Sequence, residues 1–166
     1  MLLKSDTKAL MVNITAGDKM IMDGGWIYVF MSASDYNRFK VGMTINNPLI
    51  RLNNLRTGDP TLDFQVAYFI PSTLNWNLFE LENHIHKELE AGSGRINFFN
   101  EKPSEWFIGD CRNAWFELDV IFENLGVDVT DYFDPEAKKI VRFWEENLRL
   151  LYAPPAPLDE DGLPFF

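Results

Sequence analysis

The sequence predicts an α+β fold, with a small central antiparallel β-sheet flanked by helices and a helical C-terminal extension. Over residues 24–108, β-prone runs and helical patterns follow one another in the order β-β-α-β-α, and helical patterns prevail afterwards. Of the 166 residues, 46% are hydrophobic and 14% aromatic, which is enough to close a core. The expected divisions are a lead-in at 1–23, a core domain at 24–108, a helical extension at 109–152 and an acidic, Pro-rich tail at 153–166.

The first two strands are predicted from short apolar runs. Residues 26–30 (WIYVF) follow two glycines, and residues 39–42 (FKVG) follow a turn expected at 35–37. Asn47 and Pro48 are typical of a helix start, and Gly58 ends that helix. A β-β-α unit is therefore expected.

The remaining elements follow from periodicity and caps. Residues 62–69 partly alternate and predict a third strand, and leucine and isoleucine recur at helical spacing over 76–90. A short strand is expected at 105–108. Two more helices are predicted, one from Asp110 to about residue 125 and one over 134–151.

Composition excludes several classes of protein. The single cysteine, Cys111, rules out an internal disulfide framework and a four-cysteine zinc site. No apolar run approaches the roughly 20 residues that span a bilayer, and the N-terminus lacks the apolar segment of a signal peptide. A cytoplasmic location is expected.

The net charge of −10 is unfavourable for binding nucleic acid, because phosphate attracts basic surfaces. Its distribution reduces the conflict. Residues 1–109 carry 10 Lys/Arg against 12 Asp/Glu, whereas residues 110–166 carry 5 against 13. Most of the repulsion is expected in the C-terminal third.

Several short motifs occur in a fixed order between residues 24 and 108. They are Gly25-Trp26-Ile27-Tyr28, Lys40-Val41-Gly42 with Met43-Thr44, Arg51, Glu82, His86 and Glu105-Trp106-Phe107. In this order the chain resembles the GIY-YIG endonuclease superfamily, in particular the phage and bacterial branch with lysine in the second motif and an EWF segment. The resemblance implies a GIY-YIG-like fold and divalent-metal-dependent hydrolysis of DNA phosphodiester bonds. It also implies a bacterial or phage-infected host cytoplasm.

The resemblance assigns roles that suit the chemistry. Glu82 would bind Mg²⁺ or Mn²⁺, and Arg51 would stabilise phosphoryl charge through paired hydrogen bonds. Tyr28 would position or deprotonate the attacking water. Lys40 could do the same as a neutral amine, or neutralise phosphate as an ammonium, and the residues do not decide between the two. His86, one helical turn after Glu82, would support the site.

Further contacts are expected around this set. Many family members carry an asparagine about a dozen residues after the metal glutamate, a count that lands here on Gly94. Arg95, Asn97 or Glu105 is therefore expected to take over part of the site. Arg56, Arg95 and Asn97 are the expected substrate-binding residues, whereas His84 falls on the outer face of its helix.

Residues 158–166 (LDEDGLPFF) resemble the terminal peptide of bacterial single-stranded-DNA-binding proteins. The resemblance implies a protein partner for the tail, or occupation of the protein's own basic groove until DNA displaces it. A solvating tail with a chance apolar end is the alternative.

Two other interpretations stay open. The same fold could be a catalytically silent module that binds DNA-processing proteins through its acidic C-terminal region, which the charge favours. An unrelated α+β domain with coincidental motifs would place Tyr28, Arg51 and Glu82 far apart.

Overall fold

The central strand of the molecule is buried on both faces. A computed structural model describes residues 8–15, 18–134, 138–153 and 161. In it, Trp26, Tyr28 and Phe30 point into one core and Ile27 and Val29 into the other, all within a single strand. Such a strand needs a covering layer on each side of the sheet.

The described elements form one eight-stranded sheet with four α-helices, and the predicted α+β fold is confirmed. Seven strands follow the order β5-β6-β3-β2-β4-β8-β7, and β1 pairs with β2. Only the β7–β8 pair is parallel. The strands are β1 Lys8–Thr15, β2 Asp18–Ser32, β3 Asp35–Thr44, β4 Leu62–Pro71, β5 Arg95–Asn97, β6 Pro103–Ile108, β7 Val129–Thr130 and β8 Ile140–Phe143. The helices are α1 Pro48–Arg56, α2 Leu78–Gly92, α3 Ala114–Asn124 and α4 Glu145–Tyr152.

Each face of the sheet has its own core. Leu81 and Ile85 of α2 and Leu118 and Phe122 of α3 cover the face that carries Ile27 and Val29. The opposite face is covered by α1 and α4, whose buried contributions are Leu52, Leu148 and Leu151. The site residues on α1 and α2 therefore approach the sheet from opposite sides.

The caps predicted for α1 are confirmed. The Asn47 side chain accepts a hydrogen bond from the Leu49 N–H, and Pro48 occupies the first turn. The turn predicted at 35–37 is wrong, because β3 begins at Asp35 and residues 33–34 make the turn. Hydroxyl contacts hold that turn, with Ser32 Oγ 2.8 Å from Ser34 Oγ and 3.0 Å from Thr61 Oγ1.

The helix predicted over 134–151 is wrong in its first half. Residues 140–143 form β8, and α4 begins only at Glu145. Tertiary pairing decides this, since β8 bonds the edge of β4 in the register Ala67↔Phe143 and Phe69↔Val141. The predicted C-terminal extension thus contains α3 and α4 and also adds two strands to the central sheet.

Arg142 fixes this C-terminal segment to the core. Its guanidinium binds Asp119, which also accepts a hydrogen bond from the Tyr68 hydroxyl, and it binds Asp131 with Nε–Oδ1 at 3.0 Å. The same guanidinium lies over the rings of Trp115 and Trp144.

The lead-in at 1–23 supplies β1 and the start of β2. The predictions for the tail fall on residues 154–166, which lie outside the described part of the chain apart from Asp161. Within the described ranges, no helix has the length and apolar character needed to cross a membrane.

We predict that a chain ending at residue 108 does not fold cooperatively. Such a chain lacks α3, β8 and α4. Leu118, Phe122 and Leu148 of these elements are 0% exposed in the full chain, so their loss exposes both cores to water. Thermal denaturation followed by circular dichroism should show no cooperative transition. A chain ending at Ala153 is the matched control and should melt like the full chain. A cooperative transition in the shorter fragment would show that residues 1–108 fold without the C-terminal segment.

Candidate active site

Tyr28 is a buried phenol that an arginine reaches from the α1 side. Its ring is 1% exposed and stacks on Phe30 with the ring centroids 4.1 Å apart. The Arg51 side chain hydrogen-bonds the Tyr28 hydroxyl. Burial raises the pKa of Tyr28 to about 12, although the Arg51 hydrogen bond opposes this. Tyr28 is therefore a neutral phenol at physiological pH, with a guanidinium bonded to its oxygen.

Gly42 makes room for the Tyr28 hydroxyl. The two residues lie opposite each other in the β2–β3 register. A Cβ on Gly42 would lie only 2.3 Å from Tyr28 Oη and 2.4 Å from Cζ, closer than real contacts allow. The glycine of the second motif is therefore required by this close approach.

Lys40 and Glu105 form an ion pair beside Tyr28. Lys40 Nζ lies 2.9 Å from Glu105 Oε2, and the two side chains are 16% and 37% exposed. The strands bring them together, because Lys40 of β3 is opposite Trp106 of β6.

Glu82 and His86 bond the edge of β3 where its pairing with β6 ends. β6 pairs with β3 only over Arg38–Lys40. Beyond that point, the Met43 backbone N–H donates to Glu82, and Val41 O is 2.8 Å from His86 Nε2. Four residues along a helix advance about 6 Å and two along a strand about 6.6 Å. The i,i+4 pair on α2 therefore matches the i,i+2 pair on β3.

Glu82 is a buried carboxyl with an altered affinity for protons. Its side chain is 8% exposed, and its pKa is raised to about 7. Burial is the largest cause, followed by the negative charge of Glu105, while Lys40 and the Met43 N–H oppose the shift. Near neutral pH, Glu82 is divided between the acid and the carboxylate.

His86 is neutral and fixed in one tautomer. Nε2 carries the proton because its partner, Val41 O, can only accept, so Nδ1 accepts from the Arg95 guanidinium at 3.3 Å. Arg95 is held by the Ser104 carbonyl, with Nε–O at 2.6 Å. Burial lowers the pKa of His86, which also favours the neutral ring. Arg95, His86 and Val41 are thus joined by hydrogen bonds that support the site.

Five side chains form the centre of the candidate site. Glu82 perturbs the pKa of both Tyr28 and Arg51, and Glu105 perturbs those of Tyr28, Arg51 and Glu82. Tyr28, Arg51 and Glu82 therefore lie close together, which contradicts the interpretation that the motifs are coincidental. Lys40 and Glu105 complete the set.

The other two expected substrate-binding residues are Arg56 and Asn97. The Arg56 guanidinium ties α1 to β4, with Nε 2.8 Å from Leu62 O and Nη2 3.2 Å from Asp63 Oδ1. Asn97 is exposed at the end of β5, and its role stays a prediction.

Among the described residues, no group of three or more His, Cys, Asp and Glu side chains is placed to hold a metal ion.

The comparison with known protein families decides where this chain belongs. The model of the T5orf172 domain matches residues 25–145, more than half of the chain. The chain belongs to the T5orf172 domain family. This family is associated with phage nuclease-related proteins of GIY-YIG or HNH-like type. The T5orf172 match runs through α3, β7 and β8, beyond the region of the motifs. No curated protein and no solved structure matches the chain.

Sequence reasoning missed two features of the site. The sequence offers Glu105 only as one of three alternatives for a supporting role and does not predict its contact with Lys40. Its position directly before Trp106 in the EWF segment was the available signal. The Met43 N–H that binds Glu82 is a backbone group and leaves no mark in the sequence.

We predict that Gly42→Ala destabilises the protein by about 1–3 kcal/mol, the usual cost of overpacking a well-packed position. The new methyl group must displace the Tyr28 ring. Urea unfolding measures the effect, and the loss should shrink when Tyr28→Ala is also present. Gly58→Ala is the control, because its Cβ would meet nothing closer than Leu55 O at 3.9 Å. Equal effects of the two substitutions would contradict the close approach.

We predict that Glu82→Gln removes a pH dependence of stability. The unfolded carboxyl loses its proton near its ordinary pKa of 4.5, whereas the folded one keeps it up to about 7. Since the folded state binds more protons between these values, wild-type stability falls as pH rises through that window. The amide of the variant can still accept from Met43. Melting temperatures across this range should fall less for Glu82→Gln than for wild type or Glu88→Gln, an exposed control on the same helix. A variant with the wild-type slope would disprove the assignment.

Proposed function

We propose that this chain is a divalent-metal-dependent endonuclease that hydrolyses phosphodiester bonds of DNA. The supporting observation is the buried Glu82 carboxyl, fixed by the Met43 N–H beside the Tyr28–Arg51 pair. A hard oxygen ligand, a guanidinium and a phenol within one small site suit phosphoryl transfer. Membership of the T5orf172 family agrees with a nuclease-related role.

The donor set fits Mg²⁺ or Mn²⁺. Mg²⁺ is usually bound by one or two carboxylates, with waters and substrate phosphate as the other ligands. Glu82 would hold the ion, and Glu105, whose negative charge raises the pKa of Glu82, would be the second oxygen donor. The bound ion would supply positive charge to the phosphoryl oxygens.

Arg51 is assigned to the substrate phosphate. Its residue is exposed, and its hydrogen bond to Tyr28 raises the pKa of the guanidinium, so it stays charged at any working pH. A planar guanidinium binds phosphate through two parallel hydrogen bonds. Anchoring by Tyr28 would hold it in place before substrate arrives.

Tyr28 and Lys40 receive different roles. The Tyr28 hydroxyl keeps its proton, accepts from Arg51 and would orient the attacking water rather than deprotonate it. Lys40, paired with Glu105, is assigned as a positive charge for phosphate, because acting as a base would require loss of that pair. His86 and Arg95 position Glu82 by fixing α2 against β3 and β6.

A second candidate is a catalytically silent module of the same fold that engages DNA-processing proteins through its acidic C-terminal region. The net charge of −10 favours it, since 13 Asp/Glu against 5 Lys/Arg lie in residues 110–166. This candidate predicts a folded protein that leaves DNA intact.

The test is nicking of supercoiled plasmid at low salt with Mg²⁺ or Mn²⁺. Glu82→Gln and Arg51→Ala should each lower the rate by about 100-fold or more, since each removes stabilisation of charge in the transition state. His84→Gln is the matched control, because His84 lies on the same helix but only partly buried. The wild-type rate should rise with pH through about 7, as Glu82 becomes ionised, and level off only at higher pH.

Two outcomes would overturn the proposal. Folded wild-type protein that cuts neither plasmid nor single strands would favour the binding module. Nicking that survives both Glu82→Gln and Arg51→Ala would place the activity elsewhere or in a contaminant.

A further inference from the structure

Two adjacent phenylalanines stand exposed at the tip of the β5–β6 hairpin. Phe98 is 61% exposed, and Phe99 is fully exposed. The turn beneath them is well defined: the Phe98 N–H donates to Lys102 O at 2.7 Å, and the Glu101 N–H donates to Phe98 O at 2.9 Å. Glu101 adopts a left-handed conformation with φ of 68°. The rings are therefore presented by an ordered turn.

This exposure is unusual because the two rings are adjacent and form no part of either core. Scattered single apolar residues on a surface are ordinary, whereas a projecting pair marks a contact site. Phe116 on α3 and Tyr132 after β7 are comparably exposed, but Phe116 packs edge-on against Trp115 and neither lies in an exposed aromatic pair. They provide a reference for exposed aromatics without such an arrangement.

The hairpin extends directly from the candidate active site. At its base, Arg95 binds His86 and Glu105 binds Lys40. Phe99 is four residues beyond Arg95, which spans at most about 14 Å. Stacked DNA rises about 3.4 Å per base, so the tip reaches at most about four base steps from a phosphate held at the site.

We propose that Phe98 and Phe99 form an apolar wedge that stacks on nucleobases of bound nucleic acid, and this rests on the proposed nuclease function. The charge balance of the chain favours stacking on bases over a purely electrostatic contact with phosphate. With 10 Lys/Arg against 12 Asp/Glu in residues 1–109, the chain has little net attraction for phosphate. Aromatic stacking on bases tolerates any sequence and needs no net charge.

The wedge also defines the substrate class. A fully paired duplex must be unstacked before a ring can enter, which costs free energy, whereas gaps, flaps and junctions offer unstacked bases. The protein is therefore specific for structure in the DNA, with little dependence on sequence. The distorted region lies within about four base steps of the cut.

The test measures binding of two fluorescein-labelled DNAs, a duplex with a short single-stranded gap and the same duplex fully paired. Fluorescence anisotropy in EDTA avoids cleavage, and the salt concentration is varied over about 50–200 mM. The variant is Phe98→Ser/Phe99→Ser. The matched control, Phe116→Ser/Tyr132→Ser, also removes two exposed aromatics, with Tyr132 next to the opposite edge of the sheet.

The hairpin variant should bind gapped DNA about tenfold more weakly or worse, since stacking accounts for that much per base. The slope of affinity against salt should stay unchanged, because no phosphate contact is lost. Affinity for the paired duplex and the melting temperature should change little. The control double variant should behave as wild type. A 2-aminopurine in the gap should show altered fluorescence with wild type and not with the hairpin variant.

Several outcomes would overturn the wedge. If wild type nicks plasmid and the hairpin variant binds gapped DNA equally well, the wedge is refuted and the nuclease stands. A loss of affinity with a reduced salt slope would indicate an electrostatic contact instead. If the variant only converts a dimer to a monomer in sedimentation, the tip is a surface for self-association. If wild type neither binds nor cuts DNA, both proposals fail.

Discussion

The edge of β3 beyond Lys40 needs hydrogen-bond partners, and side chains of α2 provide them. Because the pairing of β3 with β6 stops at this point, the Val41 carbonyl and the Met43 N–H would otherwise lack a partner on this edge of β3. His86 and Glu82 bond these groups from one face of the helix. The same two contacts fix the position of α2, bury a carboxyl and place it beside Tyr28. Fold and candidate chemistry therefore depend on one set of hydrogen bonds.

Burying Glu82 opposes stability while preparing the site for a cation. Its raised pKa shows that the fold disfavours the charged form, and nearby Glu105 adds to the repulsion. A bound cation would relieve both effects. In its absence, the Lys40 ammonium partly compensates through its contact with Glu105. Sites held in this state commonly gain stability when their acid is neutralised, at the expense of activity.

The sequence could predict what depends on local chemistry. Asn47 and Pro48 start α1 because their side chains satisfy or remove free N–H groups, and the pattern on α2 places Glu82 and His86 together. β8 could not be predicted, because residues 140–143 become a strand only through pairing with β4. The Lys40–Glu105 contact depends in the same way on the β3–β6 register. Features that depend on pairing between distant strands leave little local pattern in the sequence, and these are the features that could not be predicted.

The outermost strands of the seven-strand path are very short. β5 has three residues and β7 has two, and their neighbours β6 and β8 are already paired on the inner side. An intermolecular sheet grows by adding strands to a long free edge, and these ends offer few consecutive backbone groups for that purpose. These two ends of the path can thus close an aromatic-rich, two-faced sheet without offering it to a neighbouring molecule. At both ends, resistance to edge-to-edge pairing follows from the shortness of the last strand, independently of the surface charge.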